Sequence, residues 1–188
     1  NEAEHSIKFT VSGMRLDLGG IAKGYAVDLA IEAVKAAGIQ SGIINLGGNL
    51  YCFEKAPPGR KYYTIGVKNP FVKNETCGTV NIVEKAVSTS GNYERYVVIE
   101  DKLLTHIMNP KTCRPVEGMI SVTVVCSKAT DADALSTGVF VQGAKFAEKL
   151  HQKMPDADFF ILLDKGKNQV EAIRIGNIWN NCYAPVKM

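Results

Sequence analysis

Between Gly20 and Ala37 the apolar positions Ala22, Ala26, Leu29, Ala30, Ala33 and Ala37 recur at three- and four-residue steps, and Gly38 follows. That period places them on one face of an amphipathic helix that ends at the glycine. Elsewhere the apolar residues gather in short runs that read as strands. Ile7 to Val11 is one; Gly42 to Leu46 and Leu50 to Phe53 are two more, separated by Gly47-Gly48-Asn49; Tyr62 to Lys68 follows. Between Gly78 and Met108 lie three strand candidates, with Tyr96 to Ile99 and Leu103 to Met108 flanking Glu100-Asp101-Lys102 as a hairpin. Two prolines break the chain across Asn109 to Pro115, and Ile120 to Cys126 resumes as a strand. Helices are expected from about Thr130 to Gln142 and from Ala144 to Lys153. Strands Asp158 to Leu163 and Val170 to Ile175 then flank Lys165-Gly166-Lys167-Asn168. Strands in runs rather than in strict alternation with helices point to an α+β fold.

Length and composition narrow this picture. The 188 residues suit one domain (1–188) with its own core, without a repeat or linker to divide it. Hydrophobic residues at 46% and charged residues at 22% exclude a disordered, collagen-like or coiled-coil chain. A net charge of +3 is too small to point to nucleic acid, so a small-molecule or protein partner is expected. No apolar run reaches the length of a transmembrane helix. The numbering opens at Asn1 without a methionine or a leader, so an earlier piece is expected to be missing. The five cysteines, Cys52, Cys77, Cys113, Cys126 and Cys182, are scattered and odd in number, which fits buried thiols better than a zinc site.

Several segments could carry chemistry, each with a plainer alternative. Leu18 to Gly24 (LGGIAKG) leads into the first helix, where backbone N–H groups favour phosphate, yet it also suits a tight turn. Lys23 could meet the same anion or be a solvated charge. Gly47-Gly48, between Asn45 and Asn49, would let backbone approach a ligand, and a tight hairpin explains it equally well. Ser88 to Glu94 (STSGNYE) reads as a polar turn that could touch ligand. His106, in an expected apolar strand, is either structural or a base suited to neutral pH. Asp133 and Thr137 stand four apart on one helix face, where one carboxylate and one hydroxyl would make a poor cage but a reasonable partial site for Mg2+. The alternative is an acid near the helix dipole, a place for which Asp131 competes.

Six blocks in order resemble the ApbE family of bacterial FAD:protein FMN transferases: LDLGGIAKGYAVD (Leu16 to Asp28), INLGGNLY (Ile44 to Tyr51), IGVKNP (Ile65 to Pro70), STSGNYERY (Ser88 to Tyr96), HIMNPKTCRPV (His106 to Val116) and KATDADALSTGVFVQG (Lys128 to Gly143). Cys113 stands where the family usually has glycine. The resemblance implies an ApbE-like, T-fold-like α+β architecture, a mostly antiparallel sheet with packed helices. It implies Mg2+-dependent transfer of the FMN half of FAD to a Thr or Ser hydroxyl of a target flavoprotein, with AMP released. Asp133 and Thr137 would ligate Mg2+ with the backbone oxygen of Ala22, and His106 would be the base or hold the acceptor hydroxyl. Gly20, Lys23, Asn45, Gly47, Gly48, Ser90, Gly91, Tyr93, Glu94 and His106 would surround FAD. Replacing Asp133 by Ala is expected to abolish transfer and spare the fold. Two readings compete: a Mg2+-dependent FAD pyrophosphatase giving FMN and AMP, and a flavin-binding module without turnover. Family habit also implies the bacterial cell envelope, periplasmic or on the outer face of the inner membrane, often as a lipoprotein. LDLGGIAKG normally lies near the middle of family members, so this chain is expected to lack their N-terminal portion.

Overall fold

The computed structural model describes residues 1–93, 96–99 and 102–186, with side chains undescribed at 96–99 and 102–104. Among the described residues, three helices and twelve strands follow in chain order: α1 Ala22–Ala36, β1 Ser41–Leu46, β2 Asn49–Glu54, β3 Tyr63–Lys68, β4 Thr76–Ile82, β5 Lys85–Gly91, β6 Tyr96–Ile99, β7 Lys102–Thr105, β8 Met108–Asn109, β9 Arg114–Pro115, β10 Met119–Cys126, α2 Ala129–Gln142, α3 Ala144–Lys153, β11 Asp158–Asp164 and β12 Val170–Ile175. Six of the strands form one sheet in the order β1-β2-β5-β10-β11-β12. Every pairing within it is antiparallel. Strands β3 and β4, β6 and β7, and β8 and β9 make three separate two-stranded ribbons.

The central strands of the sheet are buried on both faces, and the two faces have different covers. Ala86, Val122, Val124, Phe159 and Ile161 pack with Val27, Ile31, Ala132, Val139 and Phe140 of α1 and α2. On the other face Val87, Val125, Phe160 and Leu162 meet Tyr63, Val80 and Ile82 of the β3–β4 ribbon and Trp179 of the C-terminal segment. Phe160 and Trp179 stack with ring centroids 5.6 Å apart. Strand β10 is buried at all eight positions, which explains its continuous apolar run, Ser121 and Thr123 apart. Three layers result: helices, sheet, then ribbon and tail.

Four expectations need correction, the first being the apolar face of α1: Ala22, Ala26, Leu29, Ala33 and Ala37 are exposed, and the helix buries Gly24, Val27 and Ile31 instead. Ile7 to Val11 is not a strand: the segment is irregular, and Ile7, Phe9 and Val11 are exposed. Its alternation has the strand period, but no described strand pairs with it, and a lone strand leaves its ladder unmade. Ser88 to Ser90 do not lie in a polar turn but inside β5, paired residue for residue with Val124, Thr123 and Val122. The hydroxyls are tolerated in the sheet because each is satisfied across it or by α2. The strand expected to carry His106 stops at Thr105, and His106 occupies an exposed bend before β8.

Candidate active site

The site grows from the packing of α1 on α2. Gly24 is on the face of α1 turned to α2, and a Cβ there would come within 2.2 Å of the Ala129 carbonyl oxygen and 2.8 Å of Asp133 Cβ. Only glycine permits that approach. One turn further on, Asp28 reaches the start of α2, where its carboxylate accepts the Ala129 and Thr130 N–H groups at 2.9 Å and the Thr130 hydroxyl at 2.6 Å. Asp28 thus caps α2 from another helix, satisfying donors that α2 cannot satisfy itself. Lys128, at the N-cap position, makes no such bond.

This packing holds Asp133, 3% exposed, against the first turn of α1. Its Oδ2 accepts the buried Gly24 N–H at 2.9 Å, and its Oδ1 lies 3.6 Å from Lys23 Nζ. A buried carboxylate needs such partners. The Lys23 side chain is 43% exposed, so its ammonium can leave for another anion. Lys23 Nζ also donates to the Gly19 carbonyl at 3.2 Å. Asp131 occupies the first turn of α2, so the dipole explanation belongs to it rather than to Asp133.

One turn along α2, Thr137 faces Gly20, whose added Cβ would sit 3.3 Å from Thr137 Oγ1. Ser90, reaching across from β5, places its Oγ 3.1 Å from Thr137 Oγ1 and 2.8 Å from Ser136 Oγ. Ser136 Oγ in turn donates to the Asp133 carbonyl at 2.9 Å. Ser88 Oγ lies 3.4 Å from Ser136 Oγ and donates to Asn49 Oδ1 at 2.7 Å. Asn49 Nδ2 is buried without a hydrogen-bond partner among the described residues.

The Gly47-Gly48 pair is the two-residue turn between β1 and β2, with φ of +58° and +93° and Leu46 paired with Asn49. Positive φ at both positions is what a type I′ hairpin demands. Asn45 Oδ1 accepts the Gly48 N–H at 2.9 Å and braces the turn. A Cβ on Gly47 would lie 4.0 Å from Lys23 Cδ, so the turn flanks the lysine. Gly20, Ala22, Lys23, Asn45, Gly47, Gly48, Ser90, Asp133 and Thr137 thus collect where α1, α2, β5 and the β1–β2 turn meet.

Three expected residues stand elsewhere. Thr137, Gly138, Val141 and Gln142 form one wall of a cleft of about 720 Å³, whose other wall is Met108 to Lys111. His106 precedes that second wall by two residues without lining the cleft. Tyr93 packs with the cluster on the opposite face of the sheet, and Lys68 Nζ lies 5.0 Å from its ring centroid. Gly91 accommodates that ring, since a Cβ would come within 2.6 Å of it. Glu94 lies outside the described residues.

Carboxylate, hydroxyl and backbone carbonyl are hard oxygen donors of the kind Mg2+ takes. Among the described residues no three His, Cys, Asp or Glu side chains group as a metal cluster. A single carboxylate suits an ion that keeps waters and shares its shell with substrate phosphates. The donor set therefore fits the group that the resemblance implies.

A family model described as the ApbE family matches residues 1–161, which hold every element of this site. The chain belongs to the ApbE family. Among its relatives, a protein of Treponema pallidum named FAD:protein FMN transferase is 32% identical over 173 residues, 87% of this chain and 48% of the relative. One of Klebsiella pneumoniae with the same name is 34% identical over 147 residues, 77% of this chain and 44% of the relative. The ApbE crystal structure from Thermotoga maritima superposes with a TM-score of 0.74 at 36% identity, over 85% of this chain and 52% of that one. The apo flavinyl transferase ApbE of Pseudomonas stutzeri gives 0.70 at 28% identity, over 85% and 49%. The chain spans about half the length of the ApbE relatives it matches. Their fold is the α+β fold expected from the sequence.

Sequence reasoning missed Asp28 and Ser136, and it named Gly24 and Asn49 only as the ends of the two glycine loops, without the roles they take here. The four-residue step from Gly24 to Asp28 shows that both share one face of α1, but the partner of that face is a helix about a hundred residues away. Ser136 was hidden by its neighbour Thr137, whose spacing from Asp133 had already used the helix face.

Proposed function

We propose that this protein transfers the FMN half of FAD to a serine or threonine hydroxyl of an acceptor flavoprotein and releases AMP. The observation that carries the reading is the buried Asp133, held by Gly24 N–H beside Lys23 and one turn from Thr137, in a chain of the ApbE family. Its relatives in Treponema pallidum and Klebsiella pneumoniae carry the name of that activity.

In the transfer, the acceptor oxygen forms a bond to the FMN phosphorus while the bond from that phosphorus to the bridging oxygen breaks. The bridging oxygen leaves with AMP, and the hydroxyl proton passes to a base. Such reactions depend on positioning and on neutralising phosphate charge. Asp133, Thr137 and the Ala22 carbonyl would hold Mg2+, which when bound supplies that neutralisation. The Lys23 ammonium, on a flexible stem beside Asp133, adds a second positive charge for a pyrophosphate oxygen. The α1 N-terminus adds its partial charge at the same place. His106, exposed two residues before the wall that faces Thr137, would receive the proton. The cleft between that wall and α2 admits the acceptor segment.

The test compares AMP release from FAD and Mg2+ with and without a flavoprotein acceptor. Transfer predicts AMP matched mole for mole by flavin fixed to the acceptor. Equal AMP in both mixtures, with no flavin on the acceptor, would establish the pyrophosphatase instead. FAD bound without any AMP would leave a binding module.

A further inference from the structure

Hydroxyl groups carry one proton each, and that count sets a direction along the Ser and Thr side chains beside Asp133. The Asp133 carbonyl oxygen can only accept, so the 2.9 Å bond from Ser136 Oγ uses the Ser136 proton. Ser136 Oγ is then an acceptor towards Ser90, and the 2.8 Å contact between them uses the Ser90 proton. Ser90 Oγ must accept in turn, so the 3.1 Å contact with Thr137 is made by the Thr137 proton. The protons point one way, from Thr137 through Ser90 and Ser136 to the backbone of Asp133.

We infer that Ser90 and Ser136 are positioning residues, whose one-way hydrogen-bond chain turns the Thr137 proton away from the site and presents the Thr137 Oγ1 lone pairs to a cation. A hydroxyl whose proton faces the cation repels it; one whose proton is held behind it is a ligand. Gly20 supports the same arrangement from the other side, since it covers Thr137 Oγ1 with no side chain. The chain also ties the two ligands together, because it begins on the side chain of Thr137 and ends on the backbone of Asp133. Ser88 stands outside it: its proton goes to Asn49 Oδ1 at 2.7 Å, which leaves none for the 3.4 Å approach to Ser136. This assigns Ser90 to the support of Thr137 rather than to FAD phosphates, for which it has no proton left. Removing Ser136 frees the Ser90 proton, so that the direction is no longer fixed and Ser90 can give its proton to Thr137, taking up a lone pair that the cation needs. The inference rests on the cation site of the proposed transferase.

The experiment titrates the protein with Mn2+, followed by electron paramagnetic resonance without FAD, for the parent and for Ser136→Ala, Ser90→Ala and Ser90→Thr. Loss of supporting hydrogen bonds of this kind weakens metal binding by about tenfold or more. That loss is expected in both alanine variants, while Ser90→Thr keeps a hydroxyl on a side chain suited to a strand and retains parental affinity. The half-saturating Mg2+ concentration for AMP release should rise in step, without an equal rise in KM for FAD. Melting temperatures identify any variant that fails to fold, and the Ser90 pair decides the matter if Ser136→Ala does. Parental Mn2+ affinity in a folded alanine variant, or equal loss in Ser90→Thr, overturns the inference. A parent that binds no Mn2+ overturns the cation site itself, and the hydroxyl chain's role with it.

Discussion

Asp133 has two tasks that substitution can separate. Its carboxylate accepts the buried Gly24 N–H as well as carrying charge. Asp133→Ala leaves that N–H without a partner, so the variant should lose about 1–3 kcal/mol of stability along with activity. The alanine variant is therefore expected to keep the fold at a reduced stability. Asp133→Asn keeps an acceptor oxygen and removes the charge: denaturant unfolding should stay closer to the parent than for alanine, while in-gel flavin fluorescence of the acceptor disappears. Thiol chemistry gives an independent check on burial. Burial pushes the Cys52 and Cys126 thiols up to about 12 and Cys77 to about 11, and it raises Cys182 as well. Cys113 is exposed. A maleimide at pH 8 should label Cys113 alone in the native protein and all five cysteines after unfolding. Cys113 also has φ of +54°, a backbone region glycine adopts without strain, which accounts for the glycine usual at this place in the family.

Among the elements, α1 and α2 carry the site, and two glycines should respond in opposite ways to a methyl group. Gly24→Ala drives a Cβ into the Ala129 carbonyl and separates Asp133 from the Gly24 N–H, at a cost of about 3 kcal/mol. Gly138→Ala, within α2, meets nothing within 4 Å and should add about 0.5–1 kcal/mol through helix propensity. Urea unfolding of the two variants measures both signs. The helices and most strands were legible in the sequence because their periods are local. The same-face spacing of Asp133 and Thr137 needed no knowledge of the rest of the fold, whereas the three- and four-residue steps of alanine and leucine in α1 gave the helix but not its buried face, which is Gly24, Val27 and Ile31. Ser88 to Ser90 misled because β5 gains its stability from β10 and α2, far away in sequence, which outweighs the turn preference of serine and glycine. Ile7 to Val11 misled in the opposite way, with a strand period but no described partner strand. The cap that Asp28 supplies to α2 joins positions 101 and 102 residues apart, a relation that no local pattern contains.

Over the whole molecule, the sheet separates the site from the ribbon and tail, and its margin near β5 is held by charge. Asp156 bonds to Lys85 and accepts the Ser127 N–H, joining β5 to the start of β11 and the turn after β10. Burial alone would raise its pKa, but the bonds from Lys85 and Ser127 outweigh it and hold the carboxyl below its usual range. A carboxyl with a depressed folded pKa stabilises above its unfolded value of about 3.9 and loses that contribution as pH falls through the folded value. The melting temperature of Asp156→Asn should therefore lie below the parent at neutral pH and converge on it below about pH 4. No helix among the described residues is long and apolar enough to cross a membrane. The exposed large apolar side chains concentrate in the sequence before β2, among them Ile7, Val11, Leu16, Leu18, Tyr25 and Leu29. The proposed function depends on the site between α1 and α2 moving FMN rather than merely binding FAD. Intact-mass spectrometry of a flavoprotein acceptor, after incubation with FAD, Mg2+ and the protein, tests this most directly. The account predicts an acceptor heavier by one FMN less water, absent when its target serine or threonine is replaced by alanine and absent with Asp133→Asn. An unmodified acceptor beside released AMP, or the same mass gain with Asp133→Asn, would contradict it.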